Sequence, residues 1–400
     1  MSEKEESESN AESQVKSQKD QSENSEKEKE ESQENSENNE KSENNEKSEN
    51  NEKSENNEKS ENNEKSETKE KKSRTDKKEK TKKSEKKDNK ENSEDIYVKA
   101  ADDLRKAMEG FGTDEENLIL IVTSNKTQER LKIKKAYEEK YKKNLIDDLK
   151  SELSGKFEDA MVALFKEPVE YDCECIYNAM KGAGTDENCL IEIIASRPNW
   201  LLEKIKKKYK ELYKKELVED IKGDTSGDFQ IILEGILRCK RSETKEINKE
   251  NCGKIANELN ETKDKGWVVN DESSIFYKYI MDSSPKELSA VAREYYKLSG
   301  KTILEGIEKN FKGDAKDLLK SILYSLVSPS EYFATRIKKA IQGFGTDNKT
   351  LIRILITRCE VDMDIIKRYY KQLYNITLYE AVQKNISGDY QKLLLALIGN

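Results

Sequence analysis

The chain is 400 residues long, 39% charged and 33% hydrophobic, with a formal net charge of −8. The average joins two unlike parts: residues 1–94 hold 22 basic and 30 acidic side chains and account for the whole net charge, so residues 95–400 are formally neutral. A neutral body lacks the Lys and Arg surplus that phosphate neutralisation needs, which excludes nucleic acid as the main ligand. There is no histidine, which removes Ser-His and Cys-His catalysis and His-ligated zinc and sets the expectation that the protein is not an enzyme.

Residues 1–94 have almost no apolar side chain beyond Met1 and Val15, and residues 41–64 read KSENNE four times. A segment with nothing to bury cannot offset the entropy of ordering its backbone, so it is expected to be a disordered, low-complexity tail. Its charge is polarised, with 10 basic and 23 acidic side chains up to residue 68 and 12 and 7 over 69–94. The Lys-rich part, Lys69 to Lys90, could attract an anionic membrane surface or serve as a targeting patch, and the tail could recruit a cytoskeletal or other protein partner; a solvated spacer is the plainer reading. The opening MSEKEESESN has no apolar run of a secretory signal, and no later stretch is long enough to span a bilayer. The six cysteines follow no metal-ligand or disulfide spacing. Together these predict a cytoplasmic protein with reduced thiols.

From residue 95 on, repetition dominates. The string G-x-G-T-D starts at Gly110, Gly182 and Gly343, and the wide second interval leaves room for a degenerate copy around Lys265–Glu272. In the first unit Ala100, Leu104, Ala107 and Met108, then Leu118, Ile121 and Val122, recur at helical spacing. Further amphipathic stretches fall at about 127–141, 144–153 and 156–166, with Pro168 closing the unit. Strand alternation is absent. The fold class predicted is all-α: four repeats of five short helices, at 95–168, 169–240, 241–328 (degenerate) and 329–400, behind the tail at 1–94. The polar stretch from Arg238 to Lys249 is read as the linker between halves.

A G-x-G-T loop alone is a helix-turn-helix joint. A glycine ends one helix, and the threonine caps the next, Thr113 with Glu116 fitting a capping box. A second element at fixed distance changes the reading. Glu152 lies 40 residues after Gly112, and Asp224 lies 40 after Gly184, each at the end of a fourth helix before a Gly-containing turn. A carboxylate facing a group of backbone carbonyls suits calcium, a hard cation that takes about six to eight oxygens. Three carbonyls and a bidentate acid leave positions for water or a lipid phosphoryl oxygen, so calcium and lipid affinities should be linked.

The G-x-G-T loops, the acid 40 residues on in SELSGKF and GDTSGDF contexts, and the four repeats of about 70 residues resemble the annexin core across nearly all of 95–400. The resemblance implies Ca2+ as cofactor. It implies first-loop ligands in the carbonyls of Met108, Gly110 and Gly112 with the Glu152 side chain, and second-loop ligands in the carbonyls of Met180, Gly182 and Gly184 with Asp224. It also implies calcium-dependent binding to acidic phospholipid membranes, peripheral and reached when calcium rises. The alternative is an annexin-like structural or cytoskeletal scaffold with weak lipid binding. The fourth repeat keeps its loop but has Asn385 at the acid position, and the third has lost the glycine pattern and has Asn310, so calcium is expected mainly in the first two repeats.

The family's buried polar centre is matched by Asp172, Glu192, Arg197 and Arg353, while Cys175 replaces one of its acids, and Asn125 and Asp282 stand where arginines recur. A paired buried network, without channel activity, is the expectation. Trp267 has two readings, an aromatic exposed towards lipid or one packed in the body. Tyr295-Tyr296 and Tyr369-Tyr370 read as mixed core and surface aromatics.

Overall fold

A computed structural model describes residues 95–110, 112–342 and 345–399. The expected tail over 1–94, with its Lys-rich segment, lies outside the described residues.

Twenty helices and no strand form among the described residues, in four sets of five. The first repeat holds α1 (95–107), α2 (Glu115–Ser124), α3 (Thr127–Tyr141), α4 (Leu145–Glu152) and α5 (Gly155–Leu164). The second holds α6 (Pro168–Ala179), α7 (Glu187–Ser196), α8 (Asn199–Tyr213), α9 (Leu217–Asp224) and α10 (Gly227–Leu237). The third holds α11 (Lys249–Thr262), α12 (Ile275–Asp282), α13 (Pro285–Ser299), α14 (Ile303–Asn310) and α15 (Gly313–Val327). The fourth holds α16 (Pro329–Gln342), α17 (Asn348–Arg358), α18 (Met363–Tyr374), α19 (Leu378–Asn385) and α20 (Gly388–Ile398).

Local chemistry sets the helix ends. All four prolines stand at helix starts, where the missing N–H would have no partner anyway. Ser284 with Glu287, Thr302 with Glu305 and Thr377 with Glu380 form reciprocal capping boxes at α13, α14 and α19. Each third helix turns one tyrosine inward: Tyr137, Tyr209, Tyr295 and Tyr370 are all buried. The Tyr137 hydroxyl donates to Asp148 at 2.6 Å and that of Tyr209 to Asp220 at 2.8 Å. Tyr370 has no such partner, because Ala381 stands where the first two repeats have an aspartate. Their neighbours divide as expected, Tyr296 exposed beside buried Tyr295, and half-buried Tyr369 beside Tyr370.

Two apolar cores result, and they do not follow chain order. One is shared by the first and fourth repeats, the other by the second and third. Helix α20 lies against α2 and α5, and α17 against α5, while α15 lies against α7 and α10. This corrects the expected linker: the irregular stretch 238–248 joins repeats of one core and is no hinge between halves. Its polar groups are tied down, with Ser242 N–H donating to Asp282 O at 2.8 Å and Arg241 donating to Ile280 O at 2.6 Å and Ser283 O at 2.9 Å.

The two cores meet at a buried polar centre. Arg197 donates two hydrogen bonds of 2.8 Å to Asp172. Glu192, fully buried, accepts from Arg353 at 2.7 and 3.0 Å and from Arg336 at 3.3 Å. Burial pushes the Glu192 carboxyl up, but these guanidinium groups outweigh burial and hold it below the ordinary 4.5. The sequence gives no sign of Arg336; it reaches Glu192 from 144 residues away, with no repeated motif to mark it. The six cysteines form no disulfide.

Candidate calcium-binding loops

Three loops close in the same way. Asp114 N–H donates to Ala107 O at 2.8 Å, Asp186 N–H to Ala179 O at 2.7 Å and Asp347 N–H to Ala340 O at 2.8 Å. The chain between these bonds turns through glycines of positive φ, +108° and +90° at Gly182 and Gly184, a conformation that L side chains rarely adopt. No neighbour would touch a Cβ at either glycine, so the requirement is conformational and not steric.

The caps fall one residue later than the spacing predicts. Asp114, not Thr113, caps α2, accepting from Asn117 N–H at 3.0 Å; Asp186 and Asp347 cap α7 and α17 likewise at 3.1 Å. An Asp at this place reaches the N3 amide and leaves the threonine free. In the second repeat the freed hydroxyl has another partner: Thr185 Oγ1 donates to Asp224 Oδ2 at 2.7 Å. The end of α9 is thereby brought to the glycine loop. Among the described residues no hydrogen bond ends on the carbonyls of Met180, Gly182 or Gly184, and residues 182–184 are exposed.

The first repeat is looser. Gly110 and Gly112 take the same positive φ and the Met108 side chain is buried, but Glu152 is exposed and makes no hydrogen bond to Thr113 among the described residues. Glu152 instead lines a cavity of about 410 Å3 with Glu115, Ser154 and Asp389.

The other two repeats show what an amide does at the acid position. Asn385 Nδ2 donates to Ala381 O at 2.7 Å and Asn310 Nδ2 to Gly306 O at 2.8 Å, each folding back on its own helix. A carboxylate has no donor for that bond and stays available to a cation or hydroxyl. In the third repeat the site is filled. Trp267 is buried, its ring 4.7 Å from Phe276 in a stacked arrangement and 5.6 Å from Tyr295 edge-on, and its Nε1–H donates to Leu259 O at 3.4 Å. Of the two readings for Trp267, packing within the body is the one observed.

No group of three or more His, Cys, Asp or Glu side chains that could hold a metal gathers among the described residues. Any cation at these loops would draw most of its oxygens from backbone, and the second loop, with unbonded carbonyls beside Asp224, fits a hard divalent ion.

Fold and loops together define a four-repeat helical protein with glycine loops between the first and second helices of its repeats, the second of them exposed and with unbonded carbonyls among the described residues. The annexin family model matches residues 99–164, 171–236 and 332–397. The chain is 38% identical to human annexin A4 over 302 residues, which cover 76% of this chain and 94% of that protein. It is also 38% identical to human annexin A7, but spans only 62% of that longer relative. Among solved structures, annexin III superposes with a TM-score of 0.73 at 35% identity, covering 76% of this chain and 94% of that one. A calcium-bound annexin (Sm)1 superposes at 0.67 and 30% identity, covering 76% and 90%. This chain belongs to the annexin family. Annexins are non-enzymatic proteins that bind acidic phospholipid membranes in a calcium-dependent way. No helix among the described residues is long and apolar enough to cross a membrane.

Proposed function

We propose that this chain binds acidic phospholipid membranes peripherally from the cytoplasm, through calcium held at its first two glycine loops. The carbonyls of Met108, Gly110 and Gly112 with Glu152, and those of Met180, Gly182 and Gly184 with Asp224, would supply the protein oxygens, and lipid phosphate would complete each shell. The observation that carries this reading is the Thr185–Asp224 hydrogen bond, which sets a carboxylate beside a loop of unbonded carbonyls. Calcium supplies the bridging charge when bound. The protein supplies geometry: the glycines give the loops their positive-φ turns, the capping aspartates fix the start of the next helix, and in the second loop Thr185 holds the acid. With too few protein oxygens to satisfy the ion, calcium and lipid each raise the other's affinity.

The test is co-sedimentation of the full chain with phosphatidylserine vesicles, with calcium and with chelator. Binding should appear with calcium, reverse with chelator, and vanish in the Glu152→Ala/Asp224→Ala double variant while helical content stays unchanged. A wild-type chain that stays in the supernatant at millimolar calcium, a level at which weak extracellular modules bind, would sink the reading and favour a scaffold role.

A further inference from the structure

Away from the glycine loops, the second and third repeats enclose a cavity of about 420 Å3 beneath the stretch 238–248. That size lies within the range of small-molecule sites. Its floor is apolar, formed by Leu202, Ile236, Met281, Ile322 and Leu326, and Trp200 stands at its edge with 57% of its surface exposed. Its charged lining is one-sided. Arg197, Arg241, Lys245 and Lys286 face a single acid, Glu243. Arg197 is already paired with Asp172, but Arg241, Lys245 and Lys286 have no ion pair among the described residues. Among the described residues the Arg241 guanidinium donates to the carbonyls of Ile280 and Ser283, and burial pushes it down to about 10, with Asp282 and Tyr279 only partly opposing. It is therefore still charged at neutral pH and, half-buried, gains from a carboxylate partner.

We infer that this cavity is a binding site for a small amphipathic anion, an apolar hydrocarbon body carrying one carboxylate. The body would lie on the Leu202–Met281–Ile322 floor and against Trp200. The carboxylate would meet Arg241 and the two lysines, giving the half-buried guanidinium an ion pair it lacks among the described residues. A neutral alcohol of the same length would leave that charge unmatched, and a cationic amphiphile would add to it. The site uses no residue of the glycine loops, so occupancy needs no calcium.

The experiment is a titration of the full chain, in chelator, with dodecanoate, dodecanol and dodecyltrimethylammonium below their micelle concentrations, followed by tryptophan fluorescence. Trp267 is buried elsewhere, so Trp200 supplies the response. Dodecanoate should bind saturably at one per chain, at least tenfold tighter than dodecanol, and the cation should not bind. The Lys245→Glu/Lys286→Glu variant, altered only at exposed positions, should weaken dodecanoate at least tenfold and leave dodecanol unchanged. Calorimetry of the wild-type chain checks that binding, and not quenching alone, is observed; heat of binding absent with dodecanoate would overturn the assignment. Equal affinity for acid and alcohol, indifference to the charge reversal, or no saturable binding would each overturn the assignment.

Discussion

Trp267 and Asn310 hold each other in place: the Trp267 N–H donates to Asn310 Oδ1 at 3.1 Å, so the residue standing at the family's acid position closes the third loop from below. The indole then lies over α14 where Gly306 leaves room. A Cβ built on Gly306 would come within 2.2 Å of the ring. Gly306→Ala should therefore destabilise the protein by roughly 1–3 kcal/mol through overpacking, although alanine in a helix ordinarily gains about 1 kcal/mol over glycine. Urea unfolding of the variant gives the sign directly, and a Gly306→Ala chain more stable than the wild type would show that the indole is not fixed there.

The tether of Asp224 can be separated from the acid itself. Thr185→Val removes one hydrogen bond to a carboxylate, a class worth roughly 1.5–3 kcal/mol and about half that here, where the bond is only partly buried. In a Glu152→Ala background, which isolates the second loop, calcium should bind about 2–10 times more weakly by calorimetry. Unchanged affinity would mean that Asp224 needs no aiming by Thr185.

Glu360, in the fourth repeat, caps a helix of the first. It accepts from Thr127 N–H at 2.9 Å, from the Thr127 hydroxyl at 2.9 Å, and from buried Arg130. Glu360→Ala leaves a guanidinium buried without its carboxylate. Breaking such a pair costs about 3–5 kcal/mol when both partners are buried, and with Glu360 31% exposed we expect roughly 2 kcal/mol. The urea midpoint should fall accordingly, with Glu360→Gln intermediate because it retains an acceptor for Thr127.

Acid should loosen the same joints. For both Glu192 and Glu360, burial raises the carboxyl, but guanidinium and hydrogen-bond partners outweigh burial and hold it below 4.5. The unfolded chain thus takes up these protons at higher pH than the folded one. Their stabilisation is complete above the ordinary glutamate value and is lost as pH falls through the folded values. The urea midpoint should drop on acidification below about 4.5, and Glu192→Gln, weaker at neutral pH, should show a shallower drop. An equally steep acid limb in that variant would place the titrating groups elsewhere.

Much of this architecture is legible in the sequence because it repeats. The glycine loops and the acid or amide 40 residues on are fixed by position within a unit, while Asp172, Glu192, Arg197 and Arg353 of the polar centre are what the annexin resemblance implies. What the sequence hides depends on partners far along the chain. Nothing local shows that Arg336 joins Glu192, or that Trp267 turns inward once Gly306 and Phe276 make room. The spacing places the cap one residue early because Thr and Asp are both good caps, and only the geometry shows which of them reaches the amide. That the cores pair first with fourth and second with third is a matter of packing between units, which no periodicity within a unit encodes.

That pairing of cores has a consequence on the ribosome. The second and third repeats are neighbours in the chain and complete their shared interior as soon as both emerge. The first repeat must wait for the last, since the carboxylate that caps α3 is made 233 residues after Thr127. At ~5–20 residues per second of synthesis, its apolar face stays uncovered for on the order of ten to fifty seconds. The earliest-made part of the body is therefore the last to be finished, and the nascent chain is most exposed to aggregation there.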